Sequence, residues 1–308
     1  MPPKKNIKSV ENEVTNIAEP VTRKVKQISM REHVKTRSMW AGSKNSQTIE
    51  SYVLVDSTDG KVFQLEELKY PPALLKIIDE IIVNAIDHYV LNPKLVTEIK
   101  ISVNDEGTIS VYNNGPGIHV EKTKNLSGTE MYTPQLIFGE FMAGSNFEDS
   151  QDRIVGGQNG IGSKLTVVFS KLFTVETLDS QSKQLYKQSF REGLTIIDPP
   201  TLESSGTKKP YTKISFIPDY VEFKLNVKTF LPTLRKLLET RTWQAAAYTS
   251  AKVYYNESIV PIKTFEDFCQ MFTENLVLST RMTKTNKPSE YPWEICLAVS
   301  DGKERHMS

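Results

Sequence analysis

Residues 71–90, PPALLKIIDEIIVNAIDHYV, decide how the chain is read. Two prolines open the stretch, where a missing N–H costs nothing, and no glycine or further proline interrupts it before Pro93. It reads as a helix. Leu74, Leu75, Ile77, Ile78, Ile81, Ile82, Val83 and Ile86 cover most of its faces, so it is expected to be largely buried. Glu80, Asn84 and Asp87 nevertheless fall at i, i+4 and i+7 and stack on one side. Burying two carboxylates and an amide is costly unless something satisfies them. Either the stripe is the solvated side of a partly exposed helix or it belongs to a site.

Two glycine-rich turns downstream favour the site. Residues 111–118 read VYNNGPGI and residues 156–164 read GGQNGIGSK, each after a β-like run. With Glu-x-x-x-Asn on the helix, they resemble the GHKL ATP-binding fold of DNA gyrase, heat-shock chaperone ATPases, histidine kinases and MutL-type repair proteins. A narrower resemblance is to the ATPase region of eukaryotic-type type IIA DNA topoisomerases. PPALLKIIDEIIVNAIDH, ISVYNNGPGI, MYTPQLIFGEFMAGSN and GGQNGIGSKLTVVFS carry it, with FTVET and YTKISFIPD behind them. It runs from about Glu32 to the end. The stretch HVKTRSMWAGS (33–43) looks more like the enzymes of large eukaryotic DNA viruses than the cellular ones.

Bulk properties set the frame. A chain of 308 residues makes one large or two ordinary domains. A hydrophobic content of 38% and a formal charge of +1 describe an ordinary soluble globular protein, and nothing in that balance demands nucleic acid as a direct ligand. Cys269 and Cys296 make no metal-ligand spacing and suggest a reducing compartment, and the four histidines are scattered. No apolar run approaches the roughly 20 residues of a membrane span, and no signal peptide is evident. An intracellular protein is expected, in the nucleus or at a cytoplasmic viral replication site.

Residues 1–29 read as a disordered, mildly basic arm: a solvated terminus, a nuclear signal or a DNA-brushing tail. MREHVKTRSMW predicts a short helix and residues 47–55 a strand. EIKISV and TISVY form a hairpin about the turn NDEG. TPQLIFGEFM predicts a helix capped by Thr133 with proline in its first turn. LFTVETL, LYKQSF and YTKISFI are further strands. The class this supports is α+β, with helices on one face of a mostly antiparallel sheet. By resemblance it is a Bergerat-type α/β sandwich over residues 30–243. The start of a ribosomal S5 domain 2-like transducer domain follows at 244–308. Ser308 falls inside a strand that should continue, so a truncated chain is expected.

Glu80 is the expected general base, a carboxylate able to polarise the water that attacks the γ-phosphate of ATP. A structural ion pair with Lys76 is the alternative. Asn84, one turn on, suits Mg2+, giving one carbonyl oxygen to an octahedral ion whose other ligands are phosphate oxygens and waters. Asp87 either supports the site or caps a loop.

Asn113 opens Asn-x-Gly-x-Gly with Gly115 and Gly117. The resemblance implies that its carbonyl accepts from the adenine amino group, although Asn-Asn-Gly alone is more often a hairpin turn. Ser145 and Asn146 match the family's ribose and phosphate contacts, with Gly144 in place of the first serine. Gly157, Gln158, Asn159, Gly160, Ile161, Gly162, Ser163 and Lys164 form the strongest motif, expected to present N–H groups and a helix start near Ile161 to the triphosphate. Its Ser-Lys order inverts the Lys-Ser/Thr ending of a P-loop, and no later Walker-B unit follows. Thr212 matches a threonine near the adenine in related proteins. Phe147–Val155 is expected to close as a lid.

The resemblance implies an ATP- and Mg2+-dependent gate that dimerises on ATP to capture double-stranded DNA. The SMWAGS stretch would begin contacts to the partner subunit's nucleotide. The implied γ-phosphate-sensing lysine would lie beyond Ser308. A repair or chaperone ATPase of the same fold, or an ATP-gated clamp without turnover, are the alternatives.

Overall fold

The computed structural model describes residues 25–58, 60–144, 160–206, 209–273, 276–282 and 293–299. The arm over residues 1–24, Ser145, Asn146, the expected lid, and Gly157, Gln158 and Asn159 lie outside the described residues.

Two short helices, α1 (Met30–Thr36) and α2 (Ser38–Ala41), lead into a hairpin of β1 (Gln47–Ser57) and β2 (Gly60–Tyr70). The decisive helix follows as α3 (Pro72–Leu91), with Pro71 at its N-cap. Then come β3 (Glu98–Val103), β4 (Ile109–Asn114), a small ladder of β5 (Lys122–Lys124) and β6 (Glu130–Tyr132), α4 (Thr133–Gly139) and α5 (Gly162–Val168). The strands β7 (Ser170–Leu178), β8 (Gln184–Arg191), β9 (Ile196–Ile197), β10 (Thr201–Ser204) and β11 (Tyr211–Pro218) precede the long α6 (Val227–Ala247). The remainder is β12 (Lys252–Tyr255), β13 (Ser258–Ile259), α7 (Phe265–Gln270) and a hairpin of β14 (Leu276–Met282) and β15 (Trp293–Ala298).

Among the described residues the main sheet runs β10-β8-β7-β11-β4-β3-β12-β13, with β9 on β8. Its pairings are antiparallel except β12 with β3. The period-2 alternation of the strands explains its two faces. Ile99, Ile101 and Val103 on β3, Ile109 and Val111 on β4, Phe173 and Val175 on β7, and Ile214 and Phe216 on β11 turn to the core. Ile77, Ile78, Ile81 and Ile82 of α3 meet them from the helical side. Each such side chain contributes roughly 1.5–3 kcal/mol when fully buried. Residues between them on the strands, such as Lys100, Tyr112, Ser110 and Ser215, form the other, polar face. The expected α+β class, with helices on one face of a mixed and mostly antiparallel sheet, is what the molecule adopts.

One local expectation is corrected. Thr133 is the first residue of α4 rather than its cap. The cap position is Tyr132, and the Thr133 N–H is used by the carbonyl of Glu121 at 2.9 Å. Position 243/244, the expected start of a second domain, lies within α6, and β12 beyond it pairs in parallel with β3 in the main sheet. A parallel strand reaches its partner only through a crossover, here α6, which packs under β3 and β12. Further on, α7 docks on the β1–β2 hairpin, where Phe272 stacks on Phe63 at 4.5 Å.

Candidate functional site

A cleft of about 610 Å³ opens between α3, the inner face of β4 and β11, the turn after β4, and the start of α5. That is the usual size of a small-ligand site. Glu80 and Asn84 reach it from α3, Asn113 and Gly117 from β4 and its turn, Thr212 from β11, and residues 160–164 from α5. Every described residue of the sequence-based set is therefore in one place. Met39 and Trp40 of α2 line the same cleft in this chain, as does Gly144.

Register does the assembling. Thr212 lies opposite Asn113 across β11 and β4, and opposite Thr177 across β11 and β7. Asn113 takes an inward position in the alternation of β4, where an apolar residue would otherwise stand, and is 5% exposed. Thr177, the last residue of the FTVET segment, is a further residue of this group beyond the sequence-based set. Its hydroxyl is 3.1 Å from that of Thr212 and accepts from the N–H of Ile118 at 2.8 Å, holding the glycine turn against β7. Gly117, at φ +75°, lies so close to the carbonyl of Leu178 that a Cβ there would collide with it.

The Glu80 side chain is 17% exposed, and the ion pair offered as its alternative reading is present: Lys76 Nζ contacts Oε1. Oε2 points the other way, against the Cα of Gly162, where a Cβ would overlap it. Helix α5 starts there with Ile161, a residue without a capping oxygen, at its N-cap. The helix is tied to α3 by the buried hydroxyl of Thr166, which donates to the carbonyl of Ile77 at 2.7 Å. Lys164 is buried beneath the cleft, its ammonium donating to the carbonyl of Ala143. Burial lowers its pKa from 10.5 to about 8. Asp79, beside Glu80, turns to α6 and meets Arg241 Nε at 2.7 Å.

His88 is a further cleft residue that the sequence reading passed over. It lies eight residues after Glu80, on the same stripe of α3, and that spacing is the signal that would have found it. Its Nδ1 is 2.6 Å from Nδ2 of Asn113, and burial lowers the imidazole's pKa.

This sandwich, with a carboxylate and an amide on the helix facing two glycine turns, defines an ATP-binding module of the GHKL type. Residues 69–197 match the family model described as histidine kinase-, DNA gyrase B- and HSP90-like ATPase. The chain is similar over 90% of its length to the crystal structure of the ATPase region of Saccharomyces cerevisiae topoisomerase II, covering 71% of that chain with a TM-score of 0.78 and 30% identity. It is 34% identical over 304 residues to DNA topoisomerase 2 of Penicillium chrysogenum, which covers 96% of this chain. Against DNA topoisomerase 2 of Acanthamoeba polyphaga mimivirus it is 33% identical over 259 residues, or 82% of this chain. The chain belongs to the family of type II DNA topoisomerases, in their ATPase region. It spans 18% and 20% of those two relatives, and their near-equal identities do not separate a viral from a cellular lineage.

Proposed function

We propose that this chain binds ATP with Mg2+ in the α3–α5 cleft and hydrolyses it as the gate of a type II DNA topoisomerase. The observation that carries the reading is the convergence of Glu80, Asn84, Asn113, Thr212 and residues 160–164 on one cleft from four elements. Asn113 and Thr212 receive the base. The glycine-rich start of α5 and Lys164 take the phosphates, and Glu80 accepts a proton from the attacking water.

A magnesium ion bound there would supply charge neutralisation to the phosphates. Asn84 fits that role, being exposed in the cleft one helical turn from the Glu80 carboxylate. Among the described residues no three His, Cys, Asp or Glu side chains gather into a metal cage. One amide oxygen shared with phosphates and water suits magnesium better than such a cage.

In the whole enzyme, ATP draws two subunits together around a DNA duplex, and residues 244–308 begin the transducer that relays the nucleotide state. The working place is wherever that DNA lies, the nucleus or a viral replication site. Among the described residues no helix is long and apolar enough to cross a membrane.

Thermal unfolding with a non-hydrolysable ATP analogue and Mg2+ tests this. Ligand at about 100 times its Kd stabilises the wild type by roughly 2.7 kcal/mol. Asn84→Ala loses most of that gain, and Glu80→Ala keeps it while losing turnover. No shift in the wild type overturns the reading.

A further inference from the structure

We propose that His88 is a positioning residue that holds the Asn113 amide with its oxygen toward the nucleotide base, and so selects a 6-amino over a 6-oxo purine. The inference rests on the reading of the cleft as a nucleotide site.

The hydrogen bonds determine which way the amide lies. Nδ2 of Asn113 is 2.9 Å from the backbone oxygen of Asn114, which can only accept. The same nitrogen is 2.6 Å from Nδ1 of His88. Nδ2 donates one proton to each, so Nδ1 accepts and the ring carries its proton on Nε2. Both N–H bonds of the amide are then used inside the protein. Oδ1 remains, and among the described residues no donor reaches it. A flipped amide would set Oδ1 against the carbonyl oxygen of Asn114, which cannot donate. With His88 in place, Asn113 presents an acceptor to the cleft.

The fold makes room for this ring. Gly115 stands at φ +121°, and a Cβ there would lie 2.7 Å from Val96 Cγ2 and 3.3 Å from His88 Cε1. The glycine turn therefore also accommodates the group that orients Asn113. Adenine offers an N–H at its 6 position, and hypoxanthine offers a carbonyl oxygen. A fixed acceptor pairs with the first and repels the second, the kind of buried polar match on which base discrimination depends.

The test compares Kd for ATP and for inosine triphosphate, each with Mg2+, in the wild type, His88→Leu and His88→Asn. The wild type is expected to prefer ATP. His88→Leu removes one of the two acceptors and lowers the ATP-to-inosine-triphosphate preference about tenfold. Asparagine carries its amide oxygen the same number of bonds from Cβ as Nδ1, so His88→Asn restores the preference. Should the leucine variant not fold, His88→Phe serves for the same ratio. A preference unchanged in the leucine or phenylalanine variant, or one lowered equally in His88→Asn, overturns the inference and leaves the nucleotide site standing. Absence of ATP binding in the wild type overturns the site itself.

Discussion

The carboxylate of Glu80 occupies the space that a side chain at position 162 would need. A Cβ built on Gly162 would overlap Oε2, and its next neighbours are the Cδ and Cγ of the same glutamate. The first residue of α5 and the expected general base on α3 therefore share one volume, and glycine is what allows it.

Gly162→Ala consequently acts on chemistry more than on folding. The atom it displaces is the far end of a flexible side chain, and alanine at the first turn of a helix is tolerated. The fold is expected to keep its stability within about 1 kcal/mol, while ATP turnover falls about 100-fold as the carboxylate is pushed aside. Steady-state kcat and the unfolding midpoint, measured on one preparation, check both halves. Unchanged turnover would show that Glu80 works from another position.

Thr166 holds α5 where that contact can form. Thr166→Val keeps the shape but removes the buried hydrogen bond to Ile77. A loss of about 1 kcal/mol is expected from denaturant unfolding, with an unchanged m-value. Turnover should fall more than nucleotide affinity, because the Glu80–Gly162 spacing shifts. Equal losses in both would argue against this geometric role.

Lys164 makes nucleotide affinity depend on pH. Its pKa of about 8 in the free protein reflects burial of the charged form. A bound polyphosphate favours that charged form, so binding raises the pKa and takes up protons. ATP affinity should weaken as pH rises above about 8, and Lys164→Met should flatten the profile. Calorimetric titration in buffers of different ionisation enthalpy reads the proton uptake directly. Without ligand the sign for folding is opposite. A folded pKa below the unfolded 10.5 gives a contribution present above 10.5 and lost as pH falls through about 8.

Arg241 compensates Asp79 beneath the site. Burial raises the Asp79 pKa above 3.8, and the guanidinium partly offsets that shift. Both side chains retain partial exposure, 35% for Arg241 and 20% for Asp79, which screens the pair. Arg241→Met is expected to cost about 1–3 kcal/mol at pH 7.5, less than a fully buried pair. With its pKa raised further, Asp79 protonates more readily in the folded variant, so the deficit shrinks as pH falls toward 4. Guanidinium unfolding at pH 7.5 and 5 checks this. A pH-independent deficit would point to lost packing instead.

The sequence by itself determined what neighbouring residues encode. The unbroken apolar pattern of residues 71–90 defines α3, and its polar stripe places Glu80 and Asn84 one turn apart. Alternation in EIKISV and TISVY defines the hairpin, and the glycine runs mark the two turns that line the cleft. These are short-range effects of helix and strand periodicity and of glycine backbone freedom, so they survive without knowledge of the fold.

Only the tertiary structure decided what depends on register and close approach. β12 closes beside β3 because α6 returns it parallel, a pairing that no local pattern encodes. Thr177 lies 64 residues beyond Asn113 in the chain, yet both flank Thr212 in the sheet. His88 reads as one scattered histidine until β4 brings Nδ2 of Asn113 within 2.6 Å. A side chain's chemistry is local, but its partner is chosen by packing between distant segments, and that choice becomes visible only when the chain is folded.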